Sequence, residues 1–164
     1  MTIDRAELLS RLRNGRDEYL RHCDAPADDL SKTYAPGKWT VRMMLAHLAD
    51  CETAYGWRFL RAAGEPRSPV EAFDENAWAD RLDYETRPVA VSKATFLGLR
   101  TAFIHWIETL PEDRLASQAT HPERGLVAAF QFASLTANHA RHHCEQVDAA
   151  RRGVPWEKRG RVMP

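Results

Sequence analysis

Four long stretches of this chain carry apolar residues at helical spacing, and none carries the sustained alternation of a β-strand. This pattern is typical of helices that each bury one face against their neighbours. We therefore predict an all-α protein, a four-helix bundle in which side chains from facing helices build any site. The predicted helices run from about Thr2 to His22, from Thr40 to about Ala63, from Ser92 to Pro111 and from about Ala129 to Arg152.

A long connection separates the second and third predicted helices. It reads "GEPRSPVEAFDENAWADRLDYETRPVAV", which is 28 residues with three prolines. A structureless loop of this length is uncommon in a compact domain. The stretch "VEAFDENAWADRL" is amphipathic, so we predict a short helix that lies across the bundle, with Asp74 as its candidate cap. The bundle is thus expected to have one long crossover between helices two and three.

The composition bears on location and partners. Lysine and arginine total 23, and so do aspartate and glutamate, so net charge gives no reason to expect binding to nucleic acid or to anionic lipid. The three cysteines are odd in number and far apart, which is not the pattern of a disulfide framework. No window approaches the roughly 20 apolar residues of a membrane span. We predict one cytoplasmic domain over residues 1–164, with a short tail from about residue 154.

The stretch "LTANHARHHCEQVDAARRG" contains three of the seven histidines. His139 and His143 are four residues apart, so a helix places both imidazoles on one face, where they can chelate a metal. His47, on the predicted second helix, lies on a stripe that faces the bundle or its rim. Together the three imidazoles would form a three-nitrogen site with an open position, as in catalytic zinc centres. His142 points away from this face and is expected at the rim.

Neighbouring residues are candidates for supporting this site. Asp50 and Gln146, each three residues after a histidine, could hold the ligands by hydrogen bonds. Cys51 is one turn after His47, so a closed site of three histidines and one cysteine remains an alternative. Glu52 is rotated about 140° from His47 and is expected elsewhere. The remaining histidines are interpreted as solvent-facing, helical-face and loop residues: His22, His105 and His121, respectively.

Four motifs together resemble the DinB-like superfamily of metal-binding four-helix bundles. They are "KWTVRMMLAHLADCE", "FDENAWA", "HPERG" and "HARHHCEQ", which follow the family's order and approximate spacing from about Lys38 to Arg152. In particular, the chain is similar to the branch that includes the bacillithiol S-transferases, although Gln146 stands where those enzymes can have a histidine. The resemblance implies that His47, His139 and His143 bind zinc or nickel and that the protein can form a homodimer.

The resemblance further implies that Trp39 and Trp78 line the mouth of the site. The favoured alternative is that both rings are packing anchors that pin the crossover to the bundle. Arg42 and Arg58 could meet an anionic thiol. An open metal position favours thiol S-transfer, in which a low-molecular-weight thiol similar to bacillithiol attacks a small-molecule electrophile. The alternatives are hydrolysis by an activated water and a metal-binding module without turnover. S-transfer is preferred because it needs no general base.

Overall fold

The computed structural model describes residues 4–157, and its long helices are those that the apolar pattern predicts. The architecture is all-α apart from one small hairpin. The elements, in chain order, are α1 (Arg5–Cys23), a 3-10 helix (Ala27–Ser31), α2 (Val41–Gly64), α3 (Glu75–Arg81), α4 (Val89–Thr109), α5 (Glu112–Ala116), β1 (Gln118–His121), β2 (Gly125–Ala128) and α6 (Ala129–Arg152).

The ends of the long helices follow local chemistry. The Asp4 side chain accepts a hydrogen bond from the backbone N–H of Glu7 at the start of α1. Thr40 caps α2 in the same way, as predicted, by accepting from the N–H of Met43. At the other end of α6, Gly153 adopts a left-handed conformation, with φ of 67°, which glycine reaches without steric cost. Short polar residues and one glycine therefore set these boundaries.

Two predicted boundaries differ from the structure. The third long helix begins at Val89, with Pro88 as its cap, so Ser92 is a buried residue of the helix and not its cap. Proline presets the backbone angle that precedes a helix, and this preference outweighs the serine signal. The predicted start of the first helix at Thr2 lies outside the described residues, as does the end of the predicted tail, residues 158–164.

The hairpin of β1 and β2 was not predicted. It pairs Gln118 with Ala128 and His121 with Gly125, and its turn is the "HPERG" stretch. Strands of four residues are too short to show a reliable alternation in sequence. The crossover extends this small sheet, because the N–H of Val70 donates to the carbonyl of Thr120 at 3.0 Å. The hairpin thus holds the start of the crossover against the bundle.

The crossover contains the short helix that its amphipathic stretch predicts, although only over Glu75–Arg81. Asp74 caps it, as predicted, by accepting from the backbone N–H groups of Asn76 and Ala77 at 3.0 Å each. Beyond α3, Arg87 donates to both carboxylate oxygens of Asp50, at 2.6 and 3.0 Å. This bidentate pair ties the end of the crossover to α2.

The bundle places α2 beside both α4 and α6, and α1 beside the same two helices. One apolar cluster includes Leu12, Phe59, Phe103 and Phe132, and another is centred on Tyr19, whose ring stacks on Phe96 at 3.8 Å. Within residues 4–157, no helix is both long enough and apolar enough to cross a membrane. The close pairing of α2 with α6 is what brings the predicted ligands of the two helices together.

Candidate metal centre

The structure brings the three predicted metal ligands into mutual contact. The ring centroids are 4.9 Å apart for His47 and His139, 4.7 Å for His47 and His143, and 4.6 Å for His139 and His143. His47 is fully buried and His143 is nearly so, whereas His139 is half-buried. The histidine cluster, by which we mean these three side chains, lies at the junction of α2 and α6.

Gln146 fixes the tautomer of one imidazole. His143 Nδ1 lies 2.7 Å from Gln146 Oε1, which can only accept, so Nδ1 carries the proton. The amide nitrogen of Gln146 in turn donates to the hydroxyl of Tyr34 at 3.4 Å, in keeping with this amide orientation. The lone pair of His143 is therefore on Nε2, the atom available to bind a metal. Gln146 thus makes the orienting contact that its spacing predicts.

The donor set fits a divalent metal ion. His47 Nε2 and His139 Nε2 are 3.1 Å apart. Two nitrogen ligands at about 2.0–2.1 Å from one ion are separated by roughly 2.9–3.4 Å for bond angles between 90° and tetrahedral. Burial lowers the pKa of His47 to about 4 and that of His143 to about 3, and it holds the pKa of His139 well below the usual value. All three are thus neutral bases near pH 7, the form that binds metal.

Cys51 lies against the cluster without the geometry of a coordinated thiolate. Its Sγ is 3.6 Å from both Nδ1 and Nε2 of His47, and this equal separation means that Sγ lies along the lone pair of neither nitrogen. Burial raises the pKa of the Cys51 thiol, which keeps it protonated. Its nearness nonetheless leaves the site of three histidines and one cysteine as an alternative.

The two carboxylates that follow His47 on α2 are engaged elsewhere. Asp50 is ion-paired with Arg87, and Arg87 also donates to Asp83 at 2.7 Å. Glu52 is buried and paired with Arg100, whose Nε donates to it at 3.0 Å. Asp50 therefore holds the crossover, and its predicted contact to a histidine is not among those it makes with the described residues.

Glu75, at the first position of α3, is the functional candidate that sequence reasoning missed. One of its carboxylate oxygens lies, together with Cys51 Sγ and ring nitrogens of His47 and His139, in a group whose atoms are all within 4.8 Å of one another. Partial burial raises the pKa of Glu75, and the nearby Arg58 opposes that shift. Glu75 belongs to the "FDENAWA" motif, in which the sequence analysis assigned roles only to Asp74, as a helix cap, and to Trp78.

The predicted aromatic pair divides between the site and the packing. The Trp39 ring is 4.8 Å from His47 and 6.4 Å from His143, and it borders a cleft of about 240 Å³ beside Gln146. The Trp78 ring instead stacks on Phe73 at 4.4 Å. Tyr55 covers the opposite side of the cluster, 5.9 Å from His139. Trp39 therefore walls the histidines, and Trp78 anchors α3.

Other predicted polar residues are placed differently from expectation. His22 is fully buried, so its solvent-facing interpretation is wrong. His121 is not a loop residue but the last residue of β1, where it is also buried, and His105 is exposed. Arg58 is 6% exposed and donates to the carbonyl of Glu71, so it is not simply solvated. His142, expected at the rim, is half-buried and packs on Trp156.

Comparison with known proteins gives relatives over most of the chain. A protein of Halalkalibacterium halodurans named "Putative metal-dependent hydrolase" is 27% identical over 122 residues, which is 74% of this chain and 71% of the relative. Proteins with the same name from Oceanobacillus iheyensis and Bacillus cereus are 26% and 28% identical over 133 residues, 81% of this chain and 77% and 76% of theirs.

Solved structures share the fold. YfiT from Bacillus subtilis, described as "a probable metal-dependent hydrolase with an unusual four-helix bundle topology", superposes with a TM-score of 0.83 at 23% identity, over 92% of this chain and 90% of that one. The mycothiol-dependent maleylpyruvate isomerase has a TM-score of 0.71 at 15% identity, over 90% of this chain and 63% of that one. These likenesses show that the bundle has the YfiT-like architecture.

The family assignment rests on a match that spans all the elements described above except the end of α6. The model of the DinB superfamily matches residues 5–147, a range that includes the histidine cluster, the crossover and the hairpin. The resemblance inferred from the four sequence motifs is thereby confirmed, and this chain belongs to the DinB superfamily.

Proposed function

We propose that this protein is a metal-dependent hydrolase of small-molecule amides or esters, with His47, His139 and His143 holding the metal and Glu75 as general base. The observation that carries the proposal is the contact of three neutral imidazoles, two of which, His47 and His139, lie close to a Glu75 carboxylate that makes no hydrogen bond or ion pair within residues 4–157. The names of the relatives from three bacteria agree with it. The sequence favoured S-transfer because that reaction needs no general base, and the position of Glu75 supplies a candidate base for hydrolysis.

The protein prepares the site by fixing its side chains before substrate binds. Gln146 holds His143 in the tautomer that presents Nε2, and Trp39 and Tyr55 cover the rings from two sides. A divalent ion held there supplies Lewis-acid polarisation of a carbonyl and lowers the pKa of a water molecule. The buried positions of His47 and His143 beside Trp39 lower the local dielectric constant, which strengthens these electrostatic effects.

Glu75 is placed to handle the proton of the reaction. Its helix starts at a rigid point because the Asp74 side chain accepts from two backbone N–H groups of the first turn. The Glu75 carboxylate can take the proton from the water that attacks the carbonyl carbon and can then deliver it to the leaving amine or alcohol. General catalysis of this kind contributes about 10²–10⁴-fold to the rate.

The test combines metal analysis with hydrolysis of a panel of chromogenic amides and esters. Glu75→Gln is expected to keep the metal and to lower kcat by at least about 100-fold, because the amide cannot accept the proton. Glu71→Gln, on the same exposed segment, is the matched control and should retain activity. Loss of metal from Glu75→Gln would make Glu75 a ligand instead. An inactive wild type with bound metal would favour the module without turnover.

Thiol S-transfer is the second candidate, and one observation favours it. The cleft beside Trp39 is lined by Tyr34, Lys38 and His143, so it offers space and a cation for a thiol cofactor. A fold-related isomerase is mycothiol-dependent. The test is conjugation of a fluorogenic electrophile with bacillithiol, mycothiol and glutathione in parallel. Acceleration that survives Glu75→Gln would support transfer, and no acceleration with any thiol would exclude it for these three thiols.

A further inference from the structure

A second cavity adjoins the histidine cluster on the side away from Trp39. Its volume is about 130 Å³, which is enough for a small molecule. The crossover and α2 contribute Glu75 and Tyr55, which also border the histidines. The other end is formed by the hairpin. A small molecule in this cavity would therefore have one end near the candidate metal and the other near the hairpin.

The hairpin end of the cavity is rich in hydrogen-bond donors. Arg58 donates through Nε and Nη2 to a single carbonyl, that of Glu71, which leaves Nη1 without a hydrogen-bond partner in residues 4–157. His121 Nδ1 accepts from the backbone N–H of Glu123 at 3.2 Å, so Nε2 carries the proton and is a donor. Arg124, in the hairpin turn, makes no hydrogen bond or ion pair with the described part of the chain.

Charges of both signs line the cavity. Burial lowers the pKa of Arg58, and the positive charge of Arg124 acts in the same direction, so the two guanidinium groups are close enough to repel each other. Two carboxylates, Glu75 and Glu123, also line the cavity. A divalent cation at the histidines would compensate Glu75, and the hairpin end would then retain an excess of positive charge.

We propose that this cavity binds a carboxylate of the substrate through Arg58, Arg124 and His121, so that the enzyme acts on small anionic amides or esters. The identification of the bound acid as part of a substrate rests on the proposed function. Anion binding itself does not depend on turnover. Guanidinium groups match a carboxylate by paired N–H donors, and these charge-assisted bonds are the stronger class. The limited volume restricts the anchored part to a short acid.

The experiment measures binding of propionate and of its neutral isostere propionamide to the zinc-loaded protein by calorimetry or ligand-detected NMR. Propionate is expected to bind at least about tenfold more tightly than propionamide, and Arg124→Gln to weaken propionate by about tenfold. Arg124 is exposed and unpaired in residues 4–157, so this variant should fold. Arg114→Gln, an exposed arginine on α5 outside the cavity, is the control and should bind propionate as the wild type does.

Three results would overturn the proposal: no propionate binding to the wild type, equal binding of the amide, or equal binding of propionate to Arg124→Gln. The last would place the acid on the metal. The proposed function is tested separately by the hydrolysis assay. Propionate binding that depends on Arg124, in a protein that hydrolyses nothing, would refute the hydrolase and keep the anion site. Hydrolysis that is equally fast for neutral and anionic esters, and insensitive to Arg124→Gln, would support the hydrolase and refute the anion site.

Discussion

Two polar clusters lie about one helical turn apart on α2 and α6, and they are built in opposite ways. In the first, the three guanidinium nitrogens of Arg100 all donate, to Glu52 and to the carbonyls of Leu12 and Thr136. In the second, the histidine cluster, Nε2 atoms of His47 and His139 face each other. A closed network of donors and acceptors fixes the four long helices together. The histidine cluster instead places ring nitrogens of two helices at the separation that two ligands of one metal ion would have.

Breaking the hydrogen-bonded network of Arg100 and Glu52, which we call the closed cluster, is expected to have the largest effect on stability. Arg100→Met leaves the fully buried Glu52 carboxylate without its counter-ion, so the free energy of unfolding should fall by about 3–5 kcal/mol in urea denaturation. The double variant Arg100→Met/Glu52→Leu removes both charges and should recover most of that loss. A single variant within about 1 kcal/mol of the wild type would contradict a structural role for the pair.

Binding of a metal ion to the histidine cluster is expected to stabilise the protein. Free zinc at 100 times its dissociation constant should raise the free energy of unfolding by about 2.7 kcal/mol, because the folded state binds the ion preferentially. His143→Ala should lose this increment, measured by denaturation with and without zinc. His105→Ala, which changes an exposed histidine on α4, should keep it. Equal zinc stabilisation of the two variants would mean that the ion binds elsewhere.

The orientation of His143 can be tested without removing a ligand. Gln146→Ala removes the acceptor of the Nδ1 proton, so metal affinity should fall by about 10–100-fold in competition with a chelator. Tyr34→Phe removes only the weaker 3.4 Å contact to the amide nitrogen and should change affinity much less. If the two variants lose affinity equally, packing and not the tautomer is the property that Gln146 controls.

The closed cluster also explains a glycine in α1. A Cβ at Gly15 would lie 3.0 Å from Arg100 Nη1 and 3.4 Å from the Ala140 side chain. Gly15→Ala should therefore destabilise the protein by about 1–2 kcal/mol through overpacking. Gly98→Ala, on α4 with open space around the new methyl, should instead stabilise by roughly 0.5–1 kcal/mol. Urea denaturation measures the free energy of unfolding of both variants, and the two changes are expected to have opposite signs.

His22 combines features of the two clusters, because one of its ring nitrogens is hydrogen-bonded and the other has no hydrogen bond within the described residues. Its Nδ1 accepts from Arg151 at 3.3 Å, and its Nε2 is buried 3.7 Å from Asp148 without a hydrogen bond to the described residues. Burial lowers the pKa of His22 to about 4 from its usual 6.5. The unfolded state therefore binds the proton first, and stability falls as pH drops from 6.5 towards 4.

Between pH 6.5 and 5.5 the loss attributable to His22 is about 1 kcal/mol. His22→Gln has no such proton, so its free energy of unfolding should fall less steeply over the same interval. Subtracting the two pH profiles isolates His22 from the other histidines. Parallel profiles would show that His22 titrates alike in the folded and unfolded states.

Much of the fold was predictable because the start, the end and the buried face of a helix are indicated by residues close together in the sequence. The bounds of α6, the Thr40 cap and the Asp74 cap all follow from residues within a few positions of one another. The hairpin and the start of α4 did not follow, because strands of four residues give a weak signal and Pro88 competed with Ser92. The three histidines could be selected from spacing and from the family resemblance, and the bundle places them together.

The sequence by itself determined the helical bundle, its long crossover and the donor atoms of the site, since these depend on periodicity and on side-chain type. Only the tertiary structure decided which carboxylates form ion pairs and which one is left to act at the site. It buries Glu52 with Arg100, pairs Asp50 with Arg87, and brings Glu75 beside the histidines from 23 residues beyond Glu52. The physical reason is that a carboxylate is structural or reactive according to its partner, and the partners here come from other helices.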